Sequence, residues 1–113
     1  MPTDLENIKI DDEMKARLEE FLTRLQTLIN THYEKFDHVE APMLEIDPGR
    51  RYLRIAIRRD DGSRYVHCFI DTTNSDILKS EGWKKPAKHA RANLNDDDYG
   101  MSGVTVYGAV YIR

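Results

Sequence analysis

The chain has 113 residues, 40% hydrophobic and 33% charged, which suits one compact, charge-rich soluble domain with a single modest core. Its one cysteine, Cys68, excludes an intramolecular disulfide framework and suits a reducing compartment. No apolar run approaches the ~18 residues of a membrane span, and the opening MPTDLENIKIDDE has neither the basic nor the apolar region of a signal peptide. The net charge of −3 does not mark a nucleic-acid binder, but it is unevenly spread. Residues 1–40 hold ten acids against five Lys/Arg, and residues 41–113 hold ten against twelve.

In chain order, Met14, Leu18, Phe21, Leu22, Leu25, Leu28, Ile29 and Phe36 fall at helical spacing. They predict an amphipathic helix over 12–36, capped by Asp11 or Asp12 and lying on a sheet. A helix–helix dimer seam is the less favoured use of that stripe, because its apolar residues exceed an a/d seam. Residues 39–79 read as antiparallel strands. The first, Val39–Ile46, is weak and contains Pro42, so an edge position is expected. Residues 50–71 read as a β-hairpin closed by a two-residue Asp61-Gly62 loop. That loop pairs Arg58 with Tyr65, Ala56 with His67, Arg54 with Phe69 and Tyr52 with Asp71. The opposite face then pairs Ile57 with Val66, Ile55 with Cys68 and Leu53 with Ile70, giving one apolar face for the helix. Ile77-Leu78-Lys79 is a short returning strand. Lys85-Pro86 predicts a short second helix over 86–95 within a basic segment, 83–95. Asn93–Gly103 reads as an acidic loop, and Val104–Ile112 alternates as a closing strand. The expected fold is α+β, one domain over 1–113, with a long helix on an antiparallel sheet of about four to five strands.

The chain advertises no catalytic chemistry. Cys68 falls on the apolar face, away from the exposed electropositive setting a nucleophile needs. His32, His38, His67 and His89 lack metal-ligand spacing. Asp96-Asp97-Asp98 does not match the calcium-loop pattern and reads as a solvated loop. No glycine-rich phosphate loop or dinucleotide fingerprint occurs. The expectation is a non-enzyme with no metal and no cofactor.

Two surfaces remain. Tyr52, Arg54, Arg58, Tyr65, His67 and Phe69 form the second face of the hairpin, a stacking platform for bases if open and a buried layer if the segment after Trp83 covers it. Lys79, Trp83, Lys84, Lys85, Lys88, His89, Arg91 and Asn93 form a basic segment that suits an anion, with helix N-terminal amides near Pro86 as further donors. The competing reading is a set of solvated lysines on a loop anchored by Trp83.

The runs Cys68-Phe69-Ile70-Asp71, Asp76-Ile77-Leu78-Lys79 and Trp83-Lys84-x-Pro86-Ala87-Lys88-His89-Ala90-Arg91-x-Asn93, with the ending Tyr107-Gly108-Ala109-Val110-Tyr111-Ile112-Arg113, resemble a group of small bacteriophage proteins. The similarity spans roughly residues 50–113, and Ala92 stands where those proteins tend to have glycine. The resemblance implies a phage or prophage origin and action in the host cytoplasm or the virion; it brings no activity with it. The leading expectation is therefore a non-catalytic phage accessory protein that binds nucleic acid, single-stranded in preference. The alternatives are a trap for a small nucleotide signal of host defence, and an inhibitor or minor virion component that contacts a host or phage protein through the acidic helix. No membrane partner is expected, and the oligomeric state is open.

Overall fold

In the computed structural model, which describes residues 8–37 and 39–110, the N-terminal stripe becomes helix α1, Asp12–Tyr33. Asp11 caps it by accepting a hydrogen bond from the Met14 amide at 2.7 Å, and Asp12 and Glu13 sit at the positive end of its dipole. Met14, Leu18, Phe21, Leu22, Leu25 and Ile29 are buried. Two members of the predicted stripe are not: the helix ends at Tyr33 rather than 36, leaving Phe36 in the turn beyond it, 48% exposed, and Leu28, within the helix, is 38% exposed.

Five antiparallel strands follow as a meander in the order β1-β2-β3-β4-β5: Met43–Pro48, Tyr52–Arg58, Arg64–Asp71, Asp76–Gly82 and Lys85–Asn93. The chain is therefore α+β, with α1 on one face of the sheet. The helix stripe shares a core with Leu44, Ile46, Leu53, Ile55, Ile57, Cys68, Ile70 and Ile77. Gln26 fastens β1 beneath the helix: its amide nitrogen donates to the Pro42 carbonyl at 2.9 Å and its oxygen accepts from the Leu44 amide at 2.9 Å. β1 is an edge strand, as Pro42 implied, but it begins after that proline rather than at Val39.

The β2–β3 hairpin departs from expectation at one point. Tyr52↔Asp71, Leu53↔Ile70, Arg54↔Phe69 and Ile55↔Cys68 pair as predicted; nearer the turn the pairs are Ala56↔Val66, Ile57↔Tyr65 and Arg58↔Arg64. The loop has three residues, Asp60–Gly62: the Arg59 amide donates to the Ser63 carbonyl at 2.9 Å, and Gly62 has φ +87°. The left-handed glycine of this loop length replaces the two-residue turn. The one-residue difference is absorbed by a bulge at His67. Tyr65 thereby turns to the helix side and packs against the core.

Two further corrections concern the C-terminal third. Residues 85–93 form strand β5 instead of a helix over 86–95, with Pro86 on an edge strand where its missing N–H is tolerated. The Asp76↔Asn93 and Ile77↔Ala92 pairings, with Ala92 against the core, override the helix propensity of the Ala/Lys-rich sequence. Of the expected closing strand 104–112, the described part, 104–110, is a tight loop with one bridge, Val104↔Ala109, after a 3-10 turn at Met101–Gly103; 111 and 112 lie outside the described residues, as does His38. The Ala109 amide approaches the His67 carbonyl at 3.4 Å, so this loop covers β3 where β4 does not pair with it.

Candidate functional site

The proposed stacking face is closed by charge and by burial. Glu45 and Asp47 alternate outward from β1, beside arginines of β2 and β3. Arg58 Nε lies 2.7 Å and Arg64 Nε 2.9 Å from the Glu45 carboxylate; Arg64 Nη2 lies 2.8 Å and Arg54 Nε 3.1 Å from Asp47. Three guanidiniums thus share two carboxylates. Burial raises the Asp47 pKa, but the hydrogen bonds and charges of Arg64 and Arg54 outweigh it and hold the carboxyl below its ordinary value.

Trp83, at the β4–β5 turn, folds over this network. Its ring lies 4.1 Å from the Arg54 guanidinium and 5.3 Å from that of Arg64, and Arg54 Nη1 donates to its carbonyl at 3.1 Å. Phe69 and His67 are buried, and Tyr52 is half-buried with its ring edge-on to Phe69 at 6.4 Å. Of the two readings of these six residues, the covered one holds for five, which are buried, half-buried or ion-paired, while Tyr65 lies on the other face. The alternation of Glu45 and Asp47 along β1 was the sequence signal for these arginine partners; Arg64 escaped notice because it was placed beside a shorter turn.

The basic segment separates into two groups. Lys79, Arg91 and Asn93 hold the fold together. Lys79 Nζ reaches the Ala109 carbonyl at 3.4 Å. Arg91 donates to the Val110 carbonyl at 2.8 Å and to the His89 carbonyl. Asn93 Nδ2 donates to the Asn74 carbonyl and to Asp76 Oδ1, both at 2.9 Å. Lys84, Lys85, Lys88 and His89 instead stand exposed on the tip and outer strand of the β4–β5 ribbon. Lys85 lies 3.5 Å from Glu81, while Lys84 and Lys88 make no ion pair among the described residues. With 86–95 a strand, no helix N-terminus adds amide donors there.

Other candidates resolve into structure. Asp98 accepts from the Gly100 and Ser102 amides, and Asp96 Oδ2 from the Asn93 amide, so two of the three aspartates cap turns. No cluster of three His, Cys, Asp or Glu able to hold a metal occurs among the described residues. Cys68 is fully buried, which pushes its thiol pKa up. His67 Nε2 lies 2.7 Å from the Thr105 carbonyl, so that nitrogen carries the proton, while Nδ1 is buried with no partner among the described residues. Burial pushes the pKa of His67 down to about 4.

A feature unforeseen in the sequence sits at the end of α1. His32, Tyr33, Phe36 and Tyr107 form a ring cluster with centroids 5.4 to 5.8 Å apart. The Tyr107 hydroxyl bonds His32 Nε2 at 3.1 Å, yet Tyr107 is 66% exposed. Among the described residues no helix is long and apolar enough to cross a membrane.

Residues 5–107 match the sequence model of a family described as Family of unknown function (DUF7717). No curated protein and no solved structure matches the chain.

Proposed function

The chain belongs to this family of unknown function, and from its own geometry we propose that it is a non-catalytic accessory protein of phage or prophage origin that binds a polyanion, nucleic acid in preference, through the β4–β5 ribbon. The phage origin rests on the resemblance of residues 50–113 alone. The binding proposal is carried by one observation: Lys84 and Lys88, with His89 beside them, are exposed on the β4–β5 ribbon and have no acidic partner among the described residues, beside a face whose arginines are already engaged by Glu45 and Asp47. Such cations gain most from a phosphate backbone, because binding releases condensed counterions and disrupts no existing pair. Trp83, the one ring of the basic segment besides His89, is placed to stack on an unpaired base, and its 38% exposure leaves part of the ring open to it. Single strands are therefore favoured over duplex.

The test is fluorescence anisotropy with labelled single- and double-stranded oligonucleotides across a salt series. Three phosphate contacts give a slope of log K against log salt of about −2 on a single strand. The double substitution Lys84→Glu/Lys88→Glu should reduce affinity by about tenfold or more and flatten that slope. Unchanged affinity in this variant, with the fold intact, would remove the basis of the reading. The described clefts of about 550, 230 and 220 Å³ are lined by residues outside 79–93 and lend a nucleotide trap at those residues no support. The exposed ring cluster favours a protein partner as the second reading. Under it, Phe36→Ser/Tyr107→Ser abolishes the biological phenotype and Lys84→Glu/Lys88→Glu spares it.

A further inference from the structure

The turns joining β1 to β2 and β3 to β4 lie at the end of the sheet opposite the Trp83 tip. Between them and the segment entering α1 is a cleft of about 550 Å³, lined by Ile8, Lys9, Pro48, Gly49, Arg50, Leu53 and Thr72. That volume falls within the range of small-molecule sites. Its lining includes apolar residues: Ile8 and Leu53 belong to the hydrophobic core, and Pro48 lies beside them. Its rim is cationic. The β1–β2 turn carries two consecutive arginines with different fates. Arg51 is drawn to Asp71, 3.0 Å away, whereas Arg50, like Lys9, is exposed and makes no ion pair among the described residues. Gly49 is demanded by the turn itself, since a Cβ there would lie 2.7 Å from the Tyr52 carbonyl oxygen. On the far side of Thr72, an adjoining cleft of about 220 Å³ is lined by Asp11 and Glu13. Negative charge therefore bounds the site on that side and disfavours a second anionic group on the ligand.

We propose that this cleft binds a small amphiphilic monoanion, with its charged head against Lys9 and Arg50 and its apolar body over Ile8, Pro48 and Leu53. An apolar floor with two cations among its lining residues is complementary to an alkyl or aryl carboxylate or sulfate; that lining offers no acid to an ammonium head and little polar surface to a sugar. The site is separate from the β4–β5 ribbon and stands or falls without it.

Octanoate and octyl sulfate, each titrated below its micelle concentration, test the proposal by amide chemical-shift mapping and calorimetry, with octylammonium, octanol and inorganic sulfate as controls. The two amphiphilic anions should shift the amides of Ile8, Gly49, Arg50, Leu53 and Thr72 saturably, and the controls should not. Lys9→Glu/Arg50→Glu alters exposed side chains only and should weaken the anions by about tenfold or more, whereas Lys84→Glu/Lys88→Glu should leave them unaffected. Lys9→Gln/Arg50→Gln is the substitute if charge reversal lowers the melting temperature. Equal binding of octylammonium, shifts centred elsewhere, absence of saturation, or undiminished affinity in the rim variants would each overturn the assignment.

Discussion

His67 occupies the position where β3 carries one more residue than β2, and its side chain is 2% exposed. Its Nε2 proton goes to the Thr105 carbonyl, and its unpartnered Nδ1 can accept a proton only by placing a charge in the interior. Lys79 opposes that charge further. The pH consequence has a definite sign. In the unfolded chain the imidazole protonates near its ordinary value of 6.5, and in the fold only near 4. Between those values the unfolded state binds more protons, so stability falls as pH drops from 6.5 toward 4, by about 3 kcal/mol for this residue. Denaturation midpoints at pH 7 and pH 4.5 should differ less in His67→Leu than in the native chain. An equal difference in both would assign the acid sensitivity elsewhere, with Asp71 and Asp47 the next candidates. Burial raises the pKa of each, but hydrogen bonds, from Thr73 and Arg51 to Asp71 and from Arg64 and Arg54 to Asp47, outweigh it and hold both below the ordinary carboxylate value.

At the scale of elements, α1 and the distal half of the β2–β3 hairpin were readable because periodicity and burial agree there. Met14 to Ile29 keep one face over four turns, and Leu53, Ile55, Cys68 and Ile70 keep one side of two strands. The bulge at His67 was not readable, since Asp60-Asp61-Gly62 is compatible with both loop lengths and only packing selects the longer. β5 was misread for a different reason. Lys85–Asn93 carries good helix formers and little alternation, and its strand geometry comes from partners distant in sequence. The candidate site inherited both errors, because Tyr65 and the expected helix N-terminus belonged to the misread elements. The 3-10 turn after β5 supports its position: a Cβ on Gly103 would lie 2.5 Å from both Ala92 Cβ and the Arg91 carbonyl oxygen. Gly103→Ala must push that turn off the strand, at about 1–3 kcal/mol, and should lower the melting temperature by several degrees, roughly 4–8 °C per kcal/mol in a domain this size. An unchanged melting temperature would show that the turn does not bear on β5.

Across the whole molecule, the acidic N-terminal region forms the outer helical layer, while two sets of exposed basic residues with no acidic partner among the described residues lie at opposite ends of the sheet. Lys84, Lys88 and His89 project from one end, and Lys9 and Arg50 rim a cleft at the other. The formal charge of −3 averages these regions away. The ribbon joins the sheet through a narrow seam: β3 and β4 pair at Phe69↔Leu78 and Ile70↔Ile77, and the register of β4–β5 shifts three times beyond. So short a seam predicts that the outer part of the ribbon opens separately from the rest of the sheet. Native-state hydrogen exchange should find the amides of Leu53–Ile57 and Cys68–Ile70 protected up to the global unfolding free energy, and those of 80–88 released by a smaller opening that leaves α1 closed. Equal protection in both sets would mean that the ribbon unfolds with the rest. If the ribbon opens first, a polyanion laid along it is recorded as slowed exchange over 80–88 while β2 and β3 exchange as before, locating the contact before any side chain is changed.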